Sequence, residues 1–342
     1  MGGVTLADVS RHVGLSRSTV SLVVNDSPTI PQSTKRRVRE SMAELGYVYN
    51  RQAAMLRNHR SMTLGLIVTE VRNAYFGELV MAVEEAAYDA GYTVLICYSR
   101  DDAERQETQF RRLLERGIDG LVLQPASETS SDRIDRLRSS SGVPTVLLAR
   151  HFGLSHDYIG ADNRRAGELV GHHIAAIGTR TVALVGGPAS TSTSNERRAG
   201  LEAAIANTAV SLTPPDQIPS PTTATGGAEA TAALLDRGEL PDAIIAFSDA
   251  IATGIYAELH KRGLRPGLDV AIASFDDLPE SEHLVPPLTS AATFPNEIGA
   301  TSAALILQRV QEPSEPDDFS HVLVEPQLRI RASTVLWRRE HA

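Results

Sequence analysis

Along the first fifty positions, apolar residues recur at helical spacing in three short bursts. Leu6, Val9 and Val13, together with Ser10, share the face of the first. Thr5 stands before it as an N-cap, Asp8 three residues on completes a capping box, and Gly14 supplies the left-handed residue that ends a helix. Ser16 caps the second burst, whose inner stripe is Val20, Val23 and Val24. Val38, Met42 and Leu45 make the third, stopped by Gly46. Pro31 stands just before this third helix, so Gln32 or Ser33 is the expected cap. Two short helices about a glycine-containing turn make a helix-turn-helix, although a helical hairpin in any core shows the same spacing.

From Thr63 the rhythm changes to short apolar runs alternating with amphipathic segments. Strands are predicted at Thr63–Thr69, Thr93–Tyr98, Gly120–Gln124 and Thr145–Ala149. Helices lie between them, through Phe76, Leu79, Val80, Val83 and Ala87 and around Glu104–Arg116. A second set opens with a strand at Tyr158–Ala161. It continues with helices near Asn163–Ile177, Asn195–Ala206 and Ala250–Arg262, and strands at Thr181–Val185, Ala243–Phe247 and Val270–Phe275. Such runs predict parallel sheets covered on both faces, here two doubly wound units in series. The Ser-, Thr- and Pro-rich stretch 207–227 reads as a surface excursion. A helix near Pro295–Val310 and a strand near Val322–Ile330 follow once the second set is complete.

Charge separates the two regions. Residues 1–60 hold nine Lys and Arg against four acids, a net of +5; with −9 overall, the remaining 282 residues carry −14. A basic head on an acidic body is the asymmetry of a DNA-binding module joined to something else. In a helix-turn-helix the first turns of the second helix enter the major groove. Those positions hold Arg17, Ser18, Ser21 and Leu22, with Thr19 near the phosphates. The single cysteine, Cys97, lies in an apolar run and excludes an intrachain disulfide framework, as in a reducing cytosol. No stretch is apolar enough to span a bilayer, and charges interrupt the N-terminal segment where a signal peptide would stand. The ten histidines show no metal-ligand spacing, and the adjacent His172 and His173 point to different helix faces, so no metal or cofactor is expected.

The stretch Leu6-Ala-Asp-Val-Ser10, the turn Gly14-Leu-Ser16, the helix Arg17 to Asn25, and Glu44-Leu-Gly-Tyr47 followed by Asn50 to Leu56 resemble the headpiece of the LacI/GalR family of bacterial transcription regulators. The resemblance continues through almost the whole chain. It implies a headpiece over 1–49 with DNA contacts from Thr5, Leu6, Ser16, Arg17, Ser18, Thr19, Ser21, Leu22 and Asn25. It implies a hinge helix over 50–60 that folds on the operator, capped by Asn50, with Ala53 on its small apolar face and Leu56 wedged between base steps. The body is then similar to a periplasmic binding protein, with one subdomain from 61–161 and 292–321 and the other from 162–291 and 322–342. Crossings are expected near Ala161, Ala291 and Val322, and the lobes are expected to close on a ligand. Tyr49 stands where the family usually has proline, and Leu22 where it often has a polar or basic base-reading residue. Leucine touches a thymine methyl but hydrogen-bonds no base edge.

Open parallel sheets bind ligands at the carboxyl ends of their strands. Tyr75, Phe76, Arg150, Asp162, Thr191, Thr193, Arg197, Ser248, Asp249, Phe275 and Asp276 stand at or near such ends. The family resemblance assigns effector contact to Tyr75, Phe76, Arg197 and Asp276. An arginine with aspartates beside aromatic rings suits a polyhydroxylated ligand. Sugars are the commonest family effectors, and the Tyr75-Phe76 pair also resembles the purine-responsive branch. Singly, each residue has another reading: Asp162 and Asp249 as helix caps, Phe76 as core, Arg197 as a structural partner of Asp276. An α/β enzyme and a solute-binding receptor are the other two functional classes. The chain carries no P-loop, no G-x-S-x-G, no H-E-x-x-H and no zinc spacing, and Gly186-Gly187 lacks the dinucleotide fingerprint. The expected protein is a cytoplasmic, non-enzymatic repressor on nucleoid DNA. It binds a palindromic operator as a homodimer, since the chain ends at Ala342 without the leucine-heptad tail of tetrameric relatives.

Overall fold

The computed structural model describes residues 4–24, 26–47, 60–214, 217–238, 240–312 and 318–341. They fall into two compact units, Met1–Ser61 and Met62–Ala342.

The first unit contains α1 (Leu6–Val13), α2 (Arg17–Val24) and α3 (Gln32–Leu45). Thr5 and Asp8 form the capping box, and Gly14 takes the left-handed conformation with φ 71°. Val9, Val20, Val23 and Val38 are buried at the centre, with Leu6, Val13, Met42 and Leu45 packed against them. Neither Gln32 nor Ser33 caps α3: Pro31 holds the cap position and no side chain bonds the first turn. Asp26, left-handed at φ 50°, closes the turn into α3 instead. Its carboxylate takes Lys35 Nζ at 2.9 Å and Arg39 at 2.8 Å.

The second unit is built on two six-stranded sheets. The first holds β1 (Thr63–Val68), β2 (Thr93–Tyr98), β3 (Gly120–Leu123), β4 (Thr145–Leu148), β5 (Asp157–Ala161) and β11 (His321–Val324), in the order β11-β5-β4-β3-β1-β2. The second holds β6 (Thr181–Val185), β7 (Ser211–Leu212), β8 (Ala243–Ala246), β9 (Ala271–Asp276), β10 (Thr289–Ala292) and β12 (Gln327–Arg329), in the order β12-β10-β9-β8-β6-β7. All pairs are parallel except β10 with β12. The first sheet is flanked by α4 (Ala74–Asp89), α5 (Ala103–Glu115), α6 (Ser131–Ser141) and α11 (Pro295–Gln311). The second is flanked by α7 (Asn163–Ala176), α8 (Ser192–Ile205), α9 (Ala224–Leu235), α10 (Asp249–Lys261) and α12 (Ala332–His341).

Three sequence expectations change. The strand at Tyr158–Ala161 belongs to the first sheet, between β4 and β11, and does not open the second. The single strand expected at Val322–Ile330 is two: β11 pairs with β5 in the first sheet and β12 with β10 in the second. Pro326 between them has no N–H to continue a ladder, and the chain changes lobes there. The other two changes of sheet follow Ala161 and Ala292. The excursion 207–227 contributes edge strand β7 and the start of α9. Helix α9 buries Gly226, Gly227, Ala230 and Thr231, which carry too little apolar contrast to show a stripe in sequence.

Candidate functional site

Strand carboxyl ends of both lobes face one cleft, and Arg197 on α8 lies at its floor. Its Nε donates to Asn163 Oδ1 at 3.0 Å, Nη1 to the Phe247 carbonyl at 2.5 Å, and Nη2 reaches Asp276 Oδ1 at 3.4 Å. The guanidinium lies 4.8 Å from the Phe247 ring centroid and 4.5 Å from that of Phe275, a double cation–π sandwich. Helix contact makes this geometry. Gly200 of α8 meets the α7 backbone so closely that a Cβ there would stand 1.9 Å from the Arg164 carbonyl oxygen. Gly167 repeats the approach from the other side, 2.1 Å from the Arg197 carbonyl oxygen. Only residues without a Cβ bring Asn163 and Arg197 into hydrogen-bonding reach.

Asp276 ends β9 with φ 111° and Asp277 follows at φ 57°, sparsely populated backbone of the kind that functional sites hold. Burial pushes the Asp276 carboxyl up to about 8, against the opposing pull of Arg197. Tyr75 and Phe76, edge to face with centroids 5.2 Å apart, wall the pocket from the first lobe. Asn73 caps α4 beside them, its Oδ1 accepting from the Tyr75 amide at 3.0 Å. Arg150 donates from Nη1 to Asp101 Oδ1 at 2.6 Å and to the Pro125 carbonyl at 3.0 Å. With Thr193 and Ser248 these groups enclose an inner pocket of about 50 Å³. That holds no more than a water or two. It adjoins a wide mouth of about 840 Å³ through Arg150 and Thr222, which line both.

The lobes also touch directly. Thr193 Oγ1 donates to the Ala149 carbonyl at 2.8 Å, the His151 amide donates to Ser192 Oγ at 3.0 Å, and His151 Nε2 lies 2.6 Å from Glu196. Four of the sequence candidates stand apart from the pocket. Asp162 caps α7, accepting from the Arg165 amide, and Thr191 caps α8. Phe275 lies behind Arg197 in the core of the second lobe. Asp249 is the first residue of α10, whose cap is Ser248. Its buried carboxylate takes hydroxyls from Ser274, Ser281 and Ser290 and the Leu278 amide, so it clamps β9, β10 and the turn after β9. Burial raises the Asp249 carboxyl, and those four donors oppose the rise.

In the first unit, Arg17, Ser18 and Leu22 are exposed on α2, Leu22 at 42%. The Ser16 hydroxyl accepts from the Thr19 amide at 3.1 Å and meets the Ser18 and Thr19 hydroxyls at 2.7 and 2.8 Å. Ser21 is half-buried, Thr5 is held in its capping box, and Leu6 packs on the core. The positive charge is partly committed: Lys35 and Arg39 meet Asp26, and Arg11 meets Asp8. Arg17 has no such partner among the described residues. Asn25, Tyr49, Asn50, Ala53 and Leu56 lie outside the described residues.

Two family models divide the chain: "Bacterial regulatory proteins, lacI family" matches residues 5–50, and "Periplasmic binding proteins and sugar binding domain of LacI family" matches 61–328. The chain belongs to the LacI family. Among similar proteins, the transcriptional repressor PurR of Haemophilus influenzae (strain PittEE) is 28% identical over 330 residues, 96% of this chain and 98% of the relative. The ribose operon repressor of Escherichia coli (strain K12) is 26% identical over 311 residues, 91% and 94% of the two chains. The lac repressor dimer bound to operator and an anti-inducer superposes with a TM-score of 0.85 at 26% identity, covering 97% of this chain and 99% of that one. A LacI-family regulator from Enterococcus faecium with bound ribose gives 0.71 at 27% identity, over 80% of this chain and 98% of that one. The protein is thus a LacI-family, effector-responsive DNA-binding repressor.

The LacI-type cleft also contains Asn163, which with Asp162 closes the β5 strand, and Asn73, Gln124, Thr222 and Phe247, which no strand-end pattern in the sequence singled out. Gln124 directly follows β3, where its Oε1 accepts from the Thr69 hydroxyl at 3.0 Å. Thr222 comes from the supposed excursion and carries no local signal. Among the described residues no helix is long and apolar enough to cross a membrane.

Proposed function

We propose that this LacI-family chain works as a dimer that sets two headpieces on a palindromic operator, and that a small polyol in the cleft controls its grip. The carrying observation is the buried Arg197–Asp276 pair at strand ends between two lobes, in one chain with an exposed recognition face at Arg17, Ser18 and Leu22. Thr5, Leu6, Ser16, Thr19, Ser21 and Asn25 position that face, with Leu22 against a thymine methyl. Asn50, Ala53 and Leu56 form the hinge that wedges the minor groove. In the cleft, Arg197 and Asp276 grip hydroxyls from below while Tyr75 and Phe76 cover a ring face, with Arg150 and Ser248 at the sides. Thr193 bridges the lobes, and Asp162, Thr191, Asp249 and Phe275 hold the frame. Sugars lead as the class because one relative is a ribose operon repressor and a LacI-family neighbour is seen with bound ribose; the likeness to the PurR repressor keeps a nucleobase as the second class.

The inner pocket is too small for a sugar, so the lobes part to admit one and settle again around it. Any ligand that prefers one lobe angle shifts the population of headpiece states by that difference in affinity, and by no more. The protein binds and does not turn over its ligand, and it acts in the cytoplasm on nucleoid DNA. The test is fluorescence anisotropy of the full chain on duplexes from around its own gene, with and without sugars and nucleobases. Salt-dependent binding to a palindrome that changes with one metabolite is expected. Equal binding to unrelated DNA under every condition sinks the reading.

A further inference from the structure

The mouth of the cleft differs in chemistry from its floor. Three arginines line it, Arg72, Arg100 and Arg150, with two carboxylates, Glu70 and Asp101. Both carboxylates are already engaged by the protein itself. Glu70 accepts from the amides of Val71 and Arg72 at 2.8 and 2.9 Å and from the Arg72 side chain at 3.2 Å. Asp101 accepts the Ser127 amide at 3.0 Å, the Ser127 hydroxyl at 2.5 Å and Arg150 at 2.6 Å.

The donors are not saturated. A guanidinium carries five N–H groups and no acceptor. Arg150 engages these partners only through Nη1, and Arg100 has no hydrogen-bond or ion-pair partner among the described residues. Arg100 and Asp101 are also both left-handed, at φ 58° and 59°. Two consecutive non-glycine residues in that region persist only where the surroundings over-determine them. The turn commits Asp101 to hold Arg150 and leaves Arg100 free at the mouth. The mouth therefore offers surplus donors and one uncompensated positive charge, a few steps from a floor suited to hydroxyls.

We propose that the effector is an anionic polyol, a sugar phosphate or sugar acid, with its hydroxyls on Arg197 and Asp276 and its anionic group in the mouth against Arg100 and Arg150. This rests on the cleft being the effector site. Planar guanidinium donors, one held by Asp101 and one free to swing, recognise phosphate and carboxylate oxygens through charge-assisted hydrogen bonds. A neutral sugar leaves those donors to water.

The test is calorimetric titration of the full-length chain with matched pairs: ribose, glucose and fructose, each beside its phosphate monoesters, with aldonates as a carboxylate arm and inorganic phosphate alone. An anionic member is expected to bind at least about tenfold tighter than its neutral parent. Arg100→Glu is expected to erase that ratio while the melting temperature without ligand stays put. Tight binding by phosphate esters alone names the phosphate; equal binding by aldonates names the anion in general. If a neutral sugar matches its charged partner, or Arg100→Glu leaves the ratio intact, the anionic effector is wrong and the cleft remains a sugar site. If no member of any pair binds, the anionic polyol is wrong as well, and the cleft's effector is left to the nucleobase arm of the operator-binding test.

Discussion

The headpiece and the cleft are assembled by opposite means. Every core contact of the headpiece joins residues within about forty positions, and Arg17, Ser18 and Leu22 stand in solvent on one short helix. The cleft gathers side chains from Asn73 to Asp276. Its central arginine is fixed by partners 34, 50 and 79 residues away. A surface for a large partner needs few supports, because the partner supplies the complementary half. A pocket that must orient a small molecule needs each side chain locked by others. The headpiece should therefore fail through its small core, and the cleft through its supports as readily as through its contacts.

The largest effect is expected from Val20→Asp, which puts a carboxylate at a position with no exposure. An unpaired buried charge costs several kcal/mol, more than a core of four buried valines can offset. Operator binding should vanish while calorimetry still shows the body's own unfolding transition. A single shared loss of both would break the contrast. Next comes Gly200→Val, whose Cβ meets the Arg164 carbonyl and forces α7 from α8. The body should lose about 3 kcal/mol, with ligand binding lost and headpiece affinity for DNA kept. Retained ligand affinity would mean that the helix contact does not set Arg197. Arg197→Ala removes the group itself, and charge-assisted bonds of about 1.5–3 kcal/mol predict roughly tenfold to hundredfold weaker ligand binding by titration.

Asp276 sharpens the cleft side through pH. Its carboxyl is raised from 3.8 to about 8 in the folded protein, so the folded state holds the proton more tightly than the unfolded one. The stability from this group is complete below about 3.8 and is lost as pH rises to about 8. Melting curves of Asp276→Asn should lack that decline, so the variant gains on the parent across the window; parallel curves would refute the assignment. The smallest effect belongs to the headpiece. Arg36, whose nearest acid is Glu40 at 4.0 Å, should lower the salt slope of DNA binding by about 1 when changed to Ala, if it meets a phosphate.

Local signals were legible wherever a residue's neighbours in sequence are also its neighbours in space. Thr5, Asp8, Gly14 and Gly46 marked their helix ends, and apolar runs marked the sheets. Caps misled where the deciding atom was backbone, as at Pro31. Asp249 looked like a strand-end ligand group because nothing local reveals that Ser274, Ser281 and Ser290 converge on it. Helix α9 stayed hidden because its buried face is glycine, alanine and threonine with one leucine, Leu234.

Periodicity, caps and charge asymmetry by themselves determined that a basic helix-turn-helix precedes an acidic, alternating strand–helix body. Those properties follow from spacing along the chain, which one turn or one strand can read. The tertiary structure alone decided that β5 and β11 lie together, that Asp249 is a clamp and that Arg197 stands between Phe247, Phe275 and Asp276. Those outcomes depend on closing loops of tens to hundreds of residues and on glycines meeting the backbone of a facing helix, and neither leaves a mark in any short window of sequence.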